Sequence, residues 1–364
     1  MGREPGGGHG FLDIGGIIDR IRALQGRVRV AVLPDFFVDR ILRTPPVDDL
    51  KVLIEKKADA GGGSIHGVSQ IEMRGGNAPN LAYALGRIGL QTHLVTVAEG
   101  PTEALLQSYF RDLDMVSISV VPGKPGYTTS LEFEHRGRGV NVMLSDVGDI
   151  ATLGPEKLTE ESWEAILDSD IVAIVNWAAN LEGTRLARRV FSACHERGIQ
   201  TFLDPADITV RERDFDDLIE SVLIPGVVDF LSINENETRS ILKLLGLGQF
   251  PERYREKDIH DAARSIWEEL SVSTHIHTPT YSCVSENEDT ISVPCYRVQA
   301  LNLTGAGDVW DAGCIAGILA RLEPEKRLNF SNAAAAAYVS DPEAKTPTLQ
   351  GVERFLLSHG VAAA

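Results

Sequence analysis

Residues 301–313 read LNLTGAGDVWDAG. Three small residues, Gly305, Ala306 and Gly307, run directly into Asp308. Val309, Trp310, Ala312, Ile315 and Ala316 then begin an apolar pattern of helical period. Backbone N–H groups in the first turn of a helix have no intrahelical partner, and the helix dipole adds partial positive charge there. Residues this small let a phosphate approach that backbone, so 305–307 can form an anion hole. An aspartate beside an anion hole repels the phosphate and adds nothing to binding. It has a use as a general base that takes the proton of an alcohol attacking that phosphate. The same spacing also describes an ordinary helix start, with Thr304 or Asp308 as cap. A P-loop is excluded, because GxxxxGK[ST] occurs nowhere in the chain, and a dinucleotide fingerprint is equally absent.

Upstream of this segment, strand-like and helix-like stretches alternate. RVRVAVL (27–33) reads as a strand, and NAPNLAYALGRI (77–88) as a helix stopped by Gly89. QTHLVTVA precedes TEALLQSYFRDL, DIVAIVN precedes GTRLARRVFSACHERG, QTFLD precedes FDDLIESVL, and VDFLSIN precedes ENETRSILKLLG. Short apolar strands joined by helices predict an α/β fold with a mainly parallel sheet covered on both faces. Two stretches interrupt the alternation, 117–144 and part of 35–75. Their strand composition predicts a small antiparallel sheet projecting from the main one. FLDIGGIIDRIRAL is expected to be a short amphipathic helix packed on the outside, behind a disordered glycine-rich tail at residues 1–10.

Composition narrows the partners. The 364 residues are 43% hydrophobic and 24% charged, with a net charge of −17. Nucleic acid and anionic membrane both need clustered Lys and Arg, so neither is expected as a partner. No run approaches the roughly 18 apolar residues of a membrane span. The start, MGREPGGGHG, has no signal-peptide core, and Gly6 stands where a myristoylation motif has Ser or Thr. Cys194, Cys283, Cys295 and Cys314 show no CxxC spacing, so neither a zinc site nor a disulfide framework is expected, and the expected compartment is a reducing cytoplasm.

LTGAGDVWDAG resembles the C-terminal signature of the ribokinase-like (PfkB) carbohydrate kinases. GGNAPNLAYALGRIG (75–89) is similar to their N-terminal signature, in the same order and more than two hundred residues away. The resemblance implies a three-layer, doubly wound fold over 29–355, with a β-sheet lid from about 36–75 and 117–144. Residues 1–28 form an extension and 356–364 a tail. It implies a nucleotide-dependent kinase acting on a sugar or nucleoside, with Asp308 as base and Gly305, Ala306 and Gly307 as anion hole. Asp39, Gly75, Gly76, Asn77 and Asn80 fall at the family's substrate positions. Asn234 and Glu237 in NENE match its N-x-x-E, where the pair organises water-bound Mg²⁺ and phosphate, Asn234 toward the nucleotide and Glu237 toward the metal through water, and the pair also reads as a helix cap. Thr304, Thr278 and Asn332 are assigned to the nucleotide. A monovalent cation and a homodimer through the lid also lie within what the resemblance allows.

Three segments depart from the family pattern. Asn302 replaces an aspartate common before the Thr-Gly. HIHTPTYSC (275–283) stands where a Thr-x-Gly-x-x-Gly loop is usual and resembles the archaeal ADP-dependent sugar kinases, which leaves the donor open between ATP and ADP. For His275 and His277, buried strand residues with satisfied imidazoles are the favoured reading. DPADI (204–208) departs from Asp-Pro-Asn. Asn176 is placed to read substrate hydroxyls. Arg74, Lys124, Arg136 and Arg138 keep a phosphorylated pentose such as ribose 1-phosphate in play, with Arg136 and Arg138 assigned to the substrate. Asp39 and the asparagines favour a neutral acceptor. A catalytically silent regulatory protein is the rival of another class, and an intact base beside an anion hole argues against it.

Overall fold

A computed structural model describes residues 13–360 of the chain. Thirteen strands build two sheets. β1 (Arg29–Leu33), β4 (Gln91–Val97), β5 (Val116–Val121), β8 (Ile171–Val175), β9 (Gln200–Asp204), β10 (Phe230–Asn234), β11 (Ser273–His277), β12 (Tyr281–Glu286) and β13 (Asp289–Pro294) form the large one. Its order is β13-β12-β11-β10-β9-β8-β1-β4-β5. Every pairing from β5 to β11 is parallel, and β12 and β13 add antiparallel at the edge. All five residues of β8 are buried, as are all but the end residues of β1, β9 and β10. That is why they read as unbroken apolar runs rather than alternating ones.

Helices cover both faces. One core gathers Asn77–Ile88, Ala306–Leu319, Pro324–Val339 and Leu349–His359 against the sheet; the other gathers Gly183–His195, Glu235–Leu244 and Glu256–Leu270. The helix Ile14–Arg22 differs from its expected place on the outside. Ile17, Ile18 and Ile21 are fully buried in the first core, so the stripe of three isoleucines makes this helix part of the domain. Residues 1–10, expected as a tail, lie outside the described residues. The boundary expected at 355 falls within Leu349–His359, whose Leu356 is buried.

The second sheet comprises β2 (Phe37–Arg43), β3 (Ser69–Gly75), β6 (Gly126–His135) and β7 (Arg138–Asp146), in the order β3-β2-β6-β7. It corresponds to the expected lid with three differences. Residues 117–121 belong to β5 and extend the large sheet. β2 and β6 pair in parallel, so the small sheet is mixed. Between β2 and β3 stands a helix, Val47–Asp59, with no buried residue.

The chain leaves β1 toward β4 on one side, and β8 returns on the other, so the sheet order reverses about β1. Ligand crevices in open α/β sheets lie at such a reversal, beyond the carboxyl ends of the strands. Asp35, Asn176, Asp204 and Asn234 all occupy that edge, after or at the ends of β1, β8, β9 and β10.

Candidate active site

The helix Ala306–Leu319 runs through the first core with every residue from Asp308 to Ile318 buried. Its cap, Gly305, has φ +82°, a left-handed conformation that a side chain would strain. A Cβ at Gly307 would lie 3.3 Å from His277 Cε1, so bare backbone there lets the imidazole pack beneath the turn. Gly305 and Gly307 stand at the start of a long helix, where the Ala306 N–H donates to the Leu303 carbonyl at 3.2 Å.

Asp308 sits in that first turn and is 5% exposed. Its Oδ2 accepts from Asn80 Nδ2 at 3.0 Å, and the Asn77 side chain also donates to it. Burial pushes its pKa well up, reinforced by the nearby Asp204 and Asp35 carboxylates, while the two asparagines oppose the rise. Desolvation outweighs the hydrogen bonds, and a raised carboxylate is a stronger proton acceptor, as a general base needs.

Sequence reasoning missed two acidic residues. Asp35, fully buried, accepts from the backbone N–H of Asn77 (2.9 Å) and of Ala78 (2.8 Å) and from Asn176 Nδ2 (2.8 Å). It therefore fixes the start of the Asn77 helix and holds Asn176, whose backbone is left-handed at φ +54°. An acid directly after an apolar strand, as in AVLPD, was the available signal. Asp311, one turn below Asp308, accepts from Ser232 Oγ at 2.5 Å, and burial with the nearby Asp204 charge pushes its pKa up. The i, i+3 spacing of the two acids on one helix was the signal there.

A cleft of about 780 Å³ opens between the small sheet and the Asn77 helix. Asp39 lines it, in contact with Thr128, and burial pushes its pKa up to about 6. A Cβ on Gly75 would overlap the Asp39 carboxyl, which is the physical reason for that glycine. Gly76, at φ +92°, turns the chain into the helix. Asn80 and Thr304 also line the cleft, and Tyr338 Oη donates to the Thr304 carbonyl at 2.8 Å. Asn302 Nδ2 donates to the Asp341 carbonyl at 2.5 Å, so the amide ties down the segment leading into the anion hole.

On the nucleotide side, Asn234 and Glu237 form a capping box. Asn234 Oδ1 accepts from the N–H of Glu237 at 3.1 Å, and Glu237 Oε2 accepts from the Asn234 N–H at 2.8 Å. Glu237 is 7% exposed, and burial together with the Asp204 charge raises its pKa. The helix-cap reading and the site reading therefore fall on the same two residues.

Three assigned residues lie elsewhere. Asn332 is buried, accepting from Trp310 Nε1 at 2.8 Å and donating to the Pro294 carbonyl at 3.2 Å, so its carboxamide serves the core rather than a ligand. Thr278 Oγ1 donates to the Tyr281 carbonyl at 2.8 Å and accepts from the Tyr281 N–H at 3.1 Å, which makes it the organiser of a turn. Arg136 is exposed at the β6–β7 turn and is not part of the cleft wall. The side chain of Arg138 lies outside the described residues. His275 is fully buried as expected, but neither ring nitrogen has a hydrogen-bond partner, against the expectation of a satisfied imidazole; His277 is partly open and stacks on Trp310 at 4.9 Å.

Comparison with known proteins agrees with this geometry. The ATP-dependent ribose-1-phosphate kinase of Halopiger xanaduensis is 25% identical over 315 residues, which is 85% of this chain and 94% of that one. Among solved structures, Arabidopsis thaliana ribokinase complexed with ribose and ATP aligns with a TM-score of 0.68 at 18% identity, over 90% of this chain and 98% of that one. Ribokinase from Cryptococcus neoformans in complex with ADP aligns at 0.65 and 17%, over 90% and 98%. These structural likenesses establish the fold. The sequence model of the family described as pfkB family carbohydrate kinase matches residues 51–350. With both signature segments meeting at one cleft and that match spanning most of its length, the chain belongs to the pfkB family of carbohydrate kinases and is a phosphotransferase with an alcohol group as acceptor.

Proposed function

We propose that Asp308 takes the proton of an acceptor hydroxyl in the cleft beneath the small sheet as its oxygen attacks the terminal phosphorus of a nucleotide, so that the bond to the bridging oxygen breaks and the nucleotide leaves one phosphate shorter. The developing charge falls on the N–H groups of Gly305 and Gly307 at the helix start, and the Ala306 N–H joins them once it leaves the Leu303 carbonyl. The observation that carries this reading is the placement of a buried, raised-pKa carboxylate in the first turn of the helix whose open N-terminus forms the anion hole. Asn80 and Asn77 hold the base, and Asp39 and Asn176 lie on the acceptor side for the remaining hydroxyls. The small sheet shields the transfer from water, which would otherwise compete for the phosphoryl group.

Mg²⁺ fits this site as a hydrated ion. Among the described residues no three His, Cys, Asp or Glu side chains are placed to hold a metal directly. Glu237, however, stands within the field of Asp204 and Asp207 at the strand ends. When bound, the ion neutralises the nucleotide phosphates.

ATP is the proposed donor, with ADP the alternative that the HIHT segment raises. A second reading of the acceptor, a phosphorylated pentose, is favoured by the name of the Halopiger relative. The deciding experiment is one screen of sugars, sugar phosphates and nucleosides against ATP and ADP, each freed of the other. Transfer to at least one polyol is the expected result; no transfer to any acceptor from either donor would refute the reading.

A further inference from the structure

At the inner end of β3, where the small sheet meets the Asn77 helix, the cleft wall contains a cation that forms no ion pair among the described residues. Arg74, the last residue before the Gly75-Gly76 turn, lays its guanidinium on the Tyr83 ring at 3.9 Å and near Phe110 at 5.6 Å. Its Nε donates to Asn80 Oδ1 at 3.2 Å. Among the described residues neither Nη has a hydrogen-bond partner and no carboxylate lies within ion-pair distance. The acids that also line the cleft are engaged elsewhere: Glu72 pairs with Arg40 at 2.9 Å, Glu132 with Arg43 at 3.3 Å, and Asp39 with Thr128. Beside the guanidinium, Tyr109 Oη is buried without a partner. A second arginine of the same cleft, Arg87, also lacks a carboxylate, and its Nε donates to the Thr346 carbonyl at 3.2 Å.

A half-buried charge without a counter-ion costs free energy unless a ligand supplies the opposite sign. A stacked guanidinium with its fork left free is the arrangement that takes a phosphate bidentately. Building on the kinase reading above, we propose that Arg74, with the Tyr109 hydroxyl beside it, is the anion subsite of the acceptor cleft. The acceptor is then a polyol phosphomonoester, its phosphate on Arg74 and a free hydroxyl at Asp308. Asn80 joins the two ends, accepting from Arg74 and donating to Asp308, so the base and the anion subsite are one carboxamide apart. This assignment moves phosphate recognition from the arginines of the β6–β7 turn to the inner end of β3 and reverses the sequence-based preference for a neutral acceptor.

The test is calorimetric titration of the full-length protein, without nucleotide, with ribose 1-phosphate, ribose 5-phosphate and ribose. Arg74→Met, Arg74→Lys and Tyr109→Phe are titrated in parallel. The native protein should bind one sugar phosphate at least ~30-fold more tightly than ribose, the scale of a hydrogen-bonded charge pair. In Arg74→Met that ratio should fall toward one, and Arg74→Lys should restore part of it. Tyr109→Phe should reduce it a few-fold. ATP affinity and the circular dichroism spectrum establish that each variant is folded. If Arg74→Met is unfolded, the Tyr109→Phe and Arg74→Lys ratios decide alone. Equal binding of ribose and its phosphates, no binding of either phosphate, or a ratio untouched by these changes would overturn the proposal. If sugar phosphates bind through Arg74 but neither ATP nor ADP phosphorylates them or any other acceptor, the subsite stands and the kinase reading falls.

Discussion

In the floor region, behind the residues that line the cleft, Asp35, Asp308 and Asp311 are buried, and each carboxylate is held by a partner from another element. On the small sheet above, Met73 and Met143 line the same cleft yet stay 40% and 55% exposed, and the strands meet the floor at few points. The two regions face one ligand with different physics. The floor is positioned by burial and by hydrogen bonds across the strand ends, so its geometry exists before anything binds. The lid has apolar surface still in water, and that surface gains cover only from what occupies the cleft. Floor residues should therefore govern rate, and lid residues affinity.

The largest effect should come from the floor. Asp308→Asn keeps the shape and the contact with Asn80 but removes the base, and kcat should fall by about 10²–10⁴. Nucleotide affinity, measured by titration, should stay near normal. A kcat within a few-fold of the parent would remove Asp308 as base.

A change where floor meets lid should act on the acceptor alone. Gly75→Ala places a Cβ against the Asp39 carboxyl. Acceptor KM should rise by about ten-fold, the equivalent of roughly 1.4 kcal/mol, with nucleotide KM unchanged. Equal changes in both would show that the two halves of the site are not separable at this glycine.

The pH dependence sharpens the same contrast. Because burial raises Asp308, the acid limb of kcat/KM should lie above the ordinary carboxylate value of about 4. Asp39, pushed up to about 6, binds its proton more tightly in the folded state than in the unfolded. Its contribution to stability is thus present below the unfolded value of about 4 and lost as pH rises through the folded one. Asp39→Asn should have a higher Tm than the parent at pH 8 and no advantage at pH 4. A thermal scan at both values checks the sign.

The smallest effect should come from the far end of the lid. Arg136 is exposed at the hairpin turn, so Arg136→Ala should change stability by less than about 0.5 kcal/mol. Acceptor KM should stay within about two-fold, since a 0.4 kcal/mol effect is a factor of two. A large rise in KM for a sugar phosphate would return phosphate recognition to the lid.

The sequence by itself determined the parallel sheet, the two signature segments and the identity of the candidate base. Each rests on local chemistry: unbroken apolar runs for buried strands, small residues where backbone must be bare, and an acid in the first turn of a helix. The capping box of Asn234 and Glu237 was legible for the same reason, since its bonds span three residues. Only the tertiary structure decided what depends on partners distant in the chain. Asp35 reaches Asn176 across 141 positions, and Asn80 reaches Asp308 across 228. Whether a polar side chain serves the core, as Asn332 does, or faces a cleft, as Arg74 does, depends on which remote groups satisfy it. Composition gives the same asparagine and arginine in both cases. The balance between desolvation and hydrogen bonding that sets their roles exists only once the chain has folded.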